Sequence, residues 1–549
     1  CGWCGCSDTP SVHYDTQIWF IIIAKNIIMK IRQIYMYMSL AAVALGMSAC
    51  NDFLDKLPDN RMELNNKKKM NKLLVSAYPE RHPALLFEMY SDNTDAFLNT
   101  GWTSAGPFQD QAFAWDDITE VDNDETPQEL WNAQYKAMAA ANITIDAIKK
   151  QGETTDLLPS KGEALLCRAY AAFNLANTFC MAYDATKAQK EMGLPYPTEP
   201  ETKVGSVYKR GTLAEFYDQI NRDIEAGLPL VNDNYEKPKF HFTRNAAYAF
   251  AALFNLYYQK YDKAVAYATR VLGSDPASKL RDWKAFNSLS PNGDIAPNAY
   301  INVSSQANLM LQTVYSGAGV YLGPYNYAAA YAHGQLLSET EDLQANAPWG
   351  NSKNFGYKVF SNNSLSKYFI NKIPYAFEYS DIAAGIGYAH SEYAVFTTDQ
   401  TLLVRAEAYA LLGNYAAAVA DLNTEVKAVS SGALSVTLAQ IKSFYTGIDY
   451  YTPTKPTPKK KFNTTFTIEK TTQEPVLQAI LQLRRTLTLG EGTRLQDVKR
   501  YGIVIYRRLL NARKQVLAVA DTLKIDDPRR AIQLPQDVIT AGLPANPRK

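Results

Sequence analysis

The sequence predicts a mainly α protein: a scaffold of tetratricopeptide-like helical hairpins that carries long irregular loops. Three observations lead there. Apolar residues recur every three to five positions through much of the first 280 residues, the period of an amphipathic helix. Two alanine-rich helix–turn–helix stretches share one plan. Residues from about 280 to 395 lose the helical period and fill with Gly, Pro, Asn, Ser and Tyr.

The chain begins "CGWCGCSDTPSVHYDTQIWFIIIAKNII", with three of the six cysteines and an apolar run broken by Lys25 and Asn26. Residues 1–28 are expected to be upstream sequence translated in error, with Met29 as the true start. The alternative is a zinc-binding or disulfide-bonded leader, but Cys1, Cys4 and Cys6 crowd together without the paired spacing of structural zinc sites. From Met29 the order is basic (Lys30, Arg32), apolar (Ile34–Leu45), then small or unbranched (Gly46, Met47, Ser48, Ala49). That is the order of a secretory signal, and its apolar run is well short of the ~20 residues that span a membrane. At Cys50 the character changes abruptly to Asn51, Asp52, Asp55 and Lys56. Met47-Ser48-Ala49-Cys50 resembles a bacterial lipoprotein signal, with Met where Leu is more usual. Residues 29–49 are therefore expected to be removed and Cys50 to carry the acyl chains, several of which together anchor stably. The mature domain would run from 50 to 549.

Helices follow. "PQELWNAQYKAMAAANITIDAIKK" places Leu130, Tyr135, Met138, Ala141, Ile145 and Ile148 at spacings of three to five, and "LPSKGEALLCRAYAAFNLANTFCMAY" and "LAEFYDQINRDIEAGLPLV" continue the period. In "NAAYAFAALFNLYYQKYDKAVAYATRVLG" small Ala246, Ala249 and Ala252 precede large Leu256 and Tyr257. A turn near Gln259–Tyr261 then leads to a second helix. "LLVRAEAYALLGNYAAAVADLNTEV" repeats this around Gly413-Asn414-Tyr415, and both stretches resemble tetratricopeptide-type hairpins. The helical scaffold is thus expected over about 60–280 and 396–430, and the loop-rich binding region over about 280–395. Residues 92–118 are a second irregular stretch bearing aromatics. "YYTPTKPTPKKKFNTTFTIEK" (450–470) reads as an exposed loop.

Net charge is +1, which leaves no basic field for nucleic acid. Thirty-six tyrosines suit surfaces that are part wet and part in contact with ligand. After Cys50 only Cys167 and Cys180 remain. Thirteen residues apart on one helix, they are ~20 Å from each other, too far for a disulfide. Both are expected as free, buried thiols.

Catalysis finds no support. There are five histidines, and no G-x-S-x-G, H-E-x-x-H, Walker or G-x-G-x-x-G signature. No enzyme, cofactor or metal is expected. The acidic run "DDITEVDNDE" (116–125) has Pro127 where an EF-hand needs Gly and reads as a solvated loop. Arg484, Arg485, Glu491, Arg494, Asp497 and Arg500 read as a buried ionic network.

Several stretches then appear in a familiar order: "NDFLD" after Cys50, "LLFEMYSDN", "LWNAQYKAMAAANITID", "KGEALLCRAYAAFNLANTF", "GLPYP", "RGTLAEFYDQINRDIEAGLPLV", "LLVRAEAYALLGNYAAAVADLN", "LRRTLTLGEGTRLQDVKRYG" and "IQLPQDVI". Together they resemble the SusD/RagB family of outer-membrane nutrient-binding lipoproteins of Bacteroidetes. The resemblance implies a SusD-like helical fold and a surface-exposed, lipid-anchored location, with Asp52 and Asp55 resembling the acidic residues that direct such lipoproteins outward. It implies a SusC-like TonB-dependent transporter as partner, and a glycan or peptide as cargo. In starch-binding relatives a Trp in this part of the chain stacks on sugar, and Trp102, flanked by Asn99, is the nearest positional match. Tyr325, Tyr327 and Trp349 fall where relatives place further aromatic contacts. A tetratricopeptide-type protein-interaction scaffold is the competing reading. Trp131 and Trp283 read as scaffold.

Overall fold

A computed structural model describes residues 64, 66–97, 106–202, 208–325, 330–351, 355–362, 364, 366–511 and 513–548. Helices dominate its first half: α1 (Lys67–Leu74), α2 (Ala84–Tyr90), α3 (Pro107–Ala114), α4 (Pro127–Lys150), α5 (Leu158–Phe179), α6 (Leu213–Gly227), α7 (Arg244–Tyr257) and α8 (Tyr261–Leu272). Five more carry the second half: α9 (Thr398–Leu411), α10 (Tyr415–Val429), α11 (Leu438–Gly447), α12 (Gln473–Leu487) and α13 (Thr493–Arg500). Residues 127–150, read as helical from periodicity, are α4 to the residue.

Local chemistry starts these helices where they start. Thr126 accepts from the Glu129 N–H and Pro127 takes the first turn of α4. Thr212 and Glu215 form a reciprocal capping box on α6. Thr243, Thr397 and Asn414 cap α7, α9 and α10. The two predicted hairpins, α7–α8 and α9–α10, turn through Gln259 (φ 61°) and Gly413 (φ 79°).

Packing runs along the chain: α4 on α5, α5 on α6, α7 on α8, α8 on α9, α9 on α10. Close approach of α5 and α6 needs glycine on both sides. A Cβ on Gly162 would lie 2.7 Å from Leu230 Cβ, and one on Gly227 2.9 Å from the Gly162 carbonyl. Two of these pairs, α5–α6 and α9–α10, are also pinned by a buried two-pronged ion pair: Arg168 donates to Asp223 at 2.6 and 2.7 Å, and Arg405 to Asp421 at 2.8 Å twice. Helix α9 is shared between the two main apolar cores. Leu402, Val404 and Ala408 face the core of α4–α8, while Leu403, Ala406 and Ala410 face the core built with α12, α13 and the irregular region. Cys167 and Cys180 are free and buried, as expected.

The irregular region is not structureless. It holds a three-stranded antiparallel sheet of β2 (Asn308–Tyr315), β4 (Ala376–Asp381) and β5 (Ile386–Thr397) in the order β2-β5-β4. A second sheet joins β1 (Asp95–Phe97), β3 (Tyr331–Ala332), β6 (Ile505–Leu510) and β7 (Val516–Leu523) in the order β7-β6-β1-β3. Parallel pairing of β1 with β6 brings together residues about 400 positions apart, such as Ala96 and Leu509.

Two sequence expectations are corrected here. The 450–470 stretch is not simply an exposed loop: Lys460, Phe462 and Ile468 are buried, because Lys460 supplies the counter-charge to Glu341 at 2.6 Å. The acidic run is not wholly solvated either. Glu125 is buried, accepting from the Ser316 hydroxyl and the Gly317 N–H, and burial lifts its pKa to about 7.

Candidate functional site

Cys50, Asn99, Trp102 and Tyr327 lie outside the described residues. The last three belong to segments 98–105 and 326–329, whose bounding residues lie close together. Phe97, at the end of β1, donates its N–H to the Ala330 carbonyl at 2.8 Å, and Asp95 and Ala96 pair antiparallel with Ala332 and Tyr331. The roots of 98–105 and of 326–329 therefore meet on one strand pair.

That strand pair is held by a dense buried ionic lattice. Arg508 on β6 grips Asp95 at 2.8 and 2.7 Å. Arg494 on α13 grips Asp92 at 2.7 and 2.8 Å. Arg485 on α12 donates to Asn93 and to Glu341. Burial alone would raise the Glu341 carboxyl, but Lys460, Arg508 and Arg485 outweigh it and hold its pKa at about 2. The basic residues of 484–500 are thus structural, as their spacing suggested. They clamp the 92–95 segment against the C-terminal third of the chain.

Beside this frame opens a cavity of about 490 Å³, lined by Ala96, Phe97, Phe113, Tyr331, Arg507 and Asp521, among others. Its character is mixed. Phe113 and Tyr331 stack at 4.7 Å with planes 28° apart, and the Tyr331 hydroxyl donates to Asp110 at 2.6 Å. The Arg507 guanidinium sits 4.4 Å from the Phe113 ring centre and 3.9 Å from that of Trp115, and donates to the Ser91 and Met89 carbonyls. Asp116 and Asp521 add carboxylates to the lining. Phe113 and Arg507 are themselves buried, so the ring surface that the cavity offers is that of half-buried Tyr331, beside the Asp116 and Asp521 carboxylates; a sugar, with apolar C–H faces and hydroxyls that need acceptors, suits such a lining.

Tyr325 is 36% exposed and stands at the other end of 326–329. Its carbonyl accepts from Lys367, which also donates to the Gly323 carbonyl. Lys367 is buried among these carbonyls, and burial pushes its pKa down to about 7. The ring of Tyr325 meets Tyr375 edge-on at 5.9 Å. Burial and the neighbouring Asp294 carboxylate both raise the Tyr325 hydroxyl.

Trp349 differs from its expected role as a ligand platform. It is 4% exposed and stacks on Phe355 at 5.8 Å within the core, so neither ring face is open to a ligand. Short β-turn structure around 346–351 folds it inward. Trp131 and Trp283 are buried, as expected. Sequence reasoning missed Phe97, Phe113, Tyr331 and Arg507, which come from four separate segments and share no local pattern.

The four described histidines are each engaged with structural neighbours: His82 stacks on Tyr393 at 4.6 Å, and His241, His333 and His390 pair with Glu163, Asp342 and Glu378. Among the described residues no group of three or more His, Cys, Asp or Glu could hold a metal ion, and no helix is long and apolar enough to cross a membrane.

Residues 52–256 match the SusD-like family model described as "Starch-binding associating with outer membrane". That family is described by binding, not by catalysis. No curated protein matches significantly. Among solved structures the chain resembles a SusD superfamily protein from Bacteroides thetaiotaomicron (18% identity, TM-score 0.59, covering 87% of this chain and 98% of that one). It resembles one from Bacteroides vulgatus at 16% identity and TM-score 0.59, covering 87% and 97%. A SusD-like carbohydrate-binding protein from Bacteroides vulgatus matches at 15% identity and TM-score 0.55, covering 86% and 96%. At these identities the likeness establishes the fold: this chain has the SusD-like architecture predicted from its sequence.

Proposed function

We propose that this chain, SusD-like in fold and in its matched residues 52–256, is a surface lipoprotein that captures a glycan and delivers it to a SusC-like TonB-dependent transporter. The observation that carries the reading is the aromatic and charged cavity of Phe113, Tyr331 and Arg507, set where the roots of 98–105 and 326–329 meet. Trp102, Asn99 and Tyr327 belong to those two segments, and with Tyr325 they are the proposed ligand contacts. Cys50 is the proposed lipid anchor. In this reading the protein binds its glycan rather than transforming it, in line with the matched family's description as starch-binding.

Calorimetric titration against a panel of neutral and charged oligosaccharides and of short peptides tests this, with chromatography of the same mixtures for products. Glycan binding without turnover supports the reading. Peptide binding would move the cargo to the RagB-like alternative, products would make the protein an enzyme, and silence throughout would leave a protein-interaction scaffold. Co-purification from detergent-solubilised outer membrane tests the transporter, and incorporation of radiolabelled fatty acid, lost in Cys50→Ala, tests the anchor.

A further inference from the structure

Helix α10 buries an acid that no donor meets. Glu425 is fully buried, and neither of its side-chain oxygens has a hydrogen-bond partner. A carboxylate left in that state takes up a proton rather than keep its charge.

Its neighbour is a second acid. Glu425 faces Asp399, in the first turn of α9. Asp399 has the donors that Glu425 lacks: the Trp283 indole N–H at 3.0 Å on one oxygen and the Arg281 backbone N–H at 3.3 Å on the other. The N-terminus of a helix also favours an anion there. Asp399 is thus the ionised member, and the proton between the two sits on Glu425, which donates it to Asp399. Charge balance agrees. Arg281 is the cation that reaches Glu425, and its guanidinium bonds the Tyr300 carbonyl at 2.9 Å and Asn308 at 2.6 Å. One positive charge balances one carboxylate, not two. The other charges on the elements packed against α10 are engaged elsewhere. Arg405 pairs with Asp421, Glu407 with Arg484 and Arg500, Arg485 with Glu341, Glu474 with Lys470, and Lys279 with the Val271 carbonyl. Asp282, Lys284 and Lys427 are exposed, and Lys442 is half-buried. Two carboxylates are also too few for a cation such as Ca²⁺, which takes ~6–8 oxygens.

We propose that Glu425 and Asp399 share a single proton, carried by Glu425, and that this pair is a pH-sensitive lock between the α9–α10 hairpin and the root of the 280–395 region. The two acids come from the hairpin. Trp283 and Arg281, which hold Asp399, come from the segment ahead of β2, and Asn308, which Arg281 holds, is the first residue of β2. Burial, with Asp399 adding to it, keeps the Glu425 pKa well above its ordinary 4.5. The folded protein therefore keeps the proton after the unfolded chain has lost it. Stability from this contact is complete below pH 4.5 and falls as pH rises, until Glu425 ionises in the folded protein and the lock opens. The lock does not depend on the glycan reading.

The test compares the intact mature protein with Glu425→Gln, which keeps the shape and a donor toward Asp399 but cannot ionise. In denaturant titrations from about pH 5.5 to about pH 7.5, the unfolding constant of wild type relative to the variant should rise about tenfold per pH unit, the mark of one proton held by the fold. Infrared spectra of the folded proteins at neutral pH should show a carboxylic-acid carbonyl band in wild type that weakens in Glu425→Gln, and this readout needs no unfolding. A ratio that stays constant over that pH range, or an acid band of equal intensity in both proteins, overturns the shared proton. A ratio that is flat in pH but shifts with added Na⁺ or Ca²⁺ places a cation between the two acids and overturns it as well.

Discussion

Glu407 offers the sharpest check on what holds the C-terminal half together. It sits on α9, fully buried, and serves three donors: Arg500 at 2.5 Å and the Tyr501 hydroxyl at 2.6 Å on one oxygen, Arg484 at 2.5 Å on the other. Asp497 shares both arginines, at 2.8 and 3.3 Å. Burial would raise the Glu407 carboxyl, but Arg484 and Arg500 outweigh it and lower its pKa from 4.5 to about 2. At ~1.4 kcal/mol per unit, that shift amounts to about 3 kcal/mol of stability. The unfolded chain binds the proton more readily than the folded one. The contribution is therefore complete above pH 4.5 and disappears as pH falls through the folded value. Glu407→Gln keeps the shape and removes the charge. Its amide also turns two donors toward groups that are donors already. At pH 7 the variant should be less stable by about 3 kcal/mol, at the lower edge of what breaking a buried pair costs, and should melt roughly 3 °C lower, since a chain of this size has a large unfolding entropy. At pH 3 the gap should narrow to roughly 1.5 kcal/mol, because the wild-type carboxyl is then almost fully protonated in the unfolded chain and still mostly ionised in the folded one. Melting curves of both proteins from pH 7 to pH 3 measure this, and titrations common to both cancel in the difference. A gap that stays constant with pH, or one below ~1 kcal/mol at pH 7, would refute the assignment of that stability to the Glu407 charge.

Gly492 caps α13 at φ 77°, donates to Glu88 at 2.8 Å, and lies so close to α2 that a Cβ would be 2.7 Å from Ala84 Cα; Gly492→Ala should cost more than ~1 kcal/mol in chemical denaturation. Trp115→Ala removes a ring that is 1% exposed, sandwiched by Arg507 and bonded to the Tyr90 carbonyl at 2.9 Å, and should cost ~3–5 kcal/mol. Burial pushes the Cys180 thiol up to about 11 and raises Cys167 as well, so in the mature chain neither should react with a thiol reagent until denaturant is added. Lys367 works in the opposite sense to Glu407. Its folded pKa lies below the usual lysine value, so the cost of burying its charge is complete below about pH 7 and is relieved as pH rises. Wild type should gain stability relative to Lys367→Met between pH 7 and pH 10, and parallel melting curves over that range would contradict the burial of an uncompensated ammonium.

Sequence by itself determined the helical scaffold. Helical period, caps and turn residues are local, so α4, the α7–α8 hairpin and the α9–α10 hairpin could be read from stretches of a few tens of residues, and the separation of Cys167 from Cys180 along α5 followed from helix rise alone. The strands of 308–397 carried a local signal as well, the alternation of Tyr375, Phe377 and Tyr379, but it was masked by the surrounding Gly, Pro and Asn. Only the tertiary structure decided the rest. Trp349 and Tyr325 look alike in sequence, each an aromatic in a loop, yet one packs on Phe355 and the other faces solvent, because burial depends on neighbours that come from elsewhere in the chain. The frame beneath the proposed site is likewise invisible locally: Asp95 meets Arg508, and Asp92 meets Arg494, across some 400 residues. Buried charges of that kind are stable only when opposite partners arrive together, and which partners arrive is fixed by the packing of the helices and sheets that carry them.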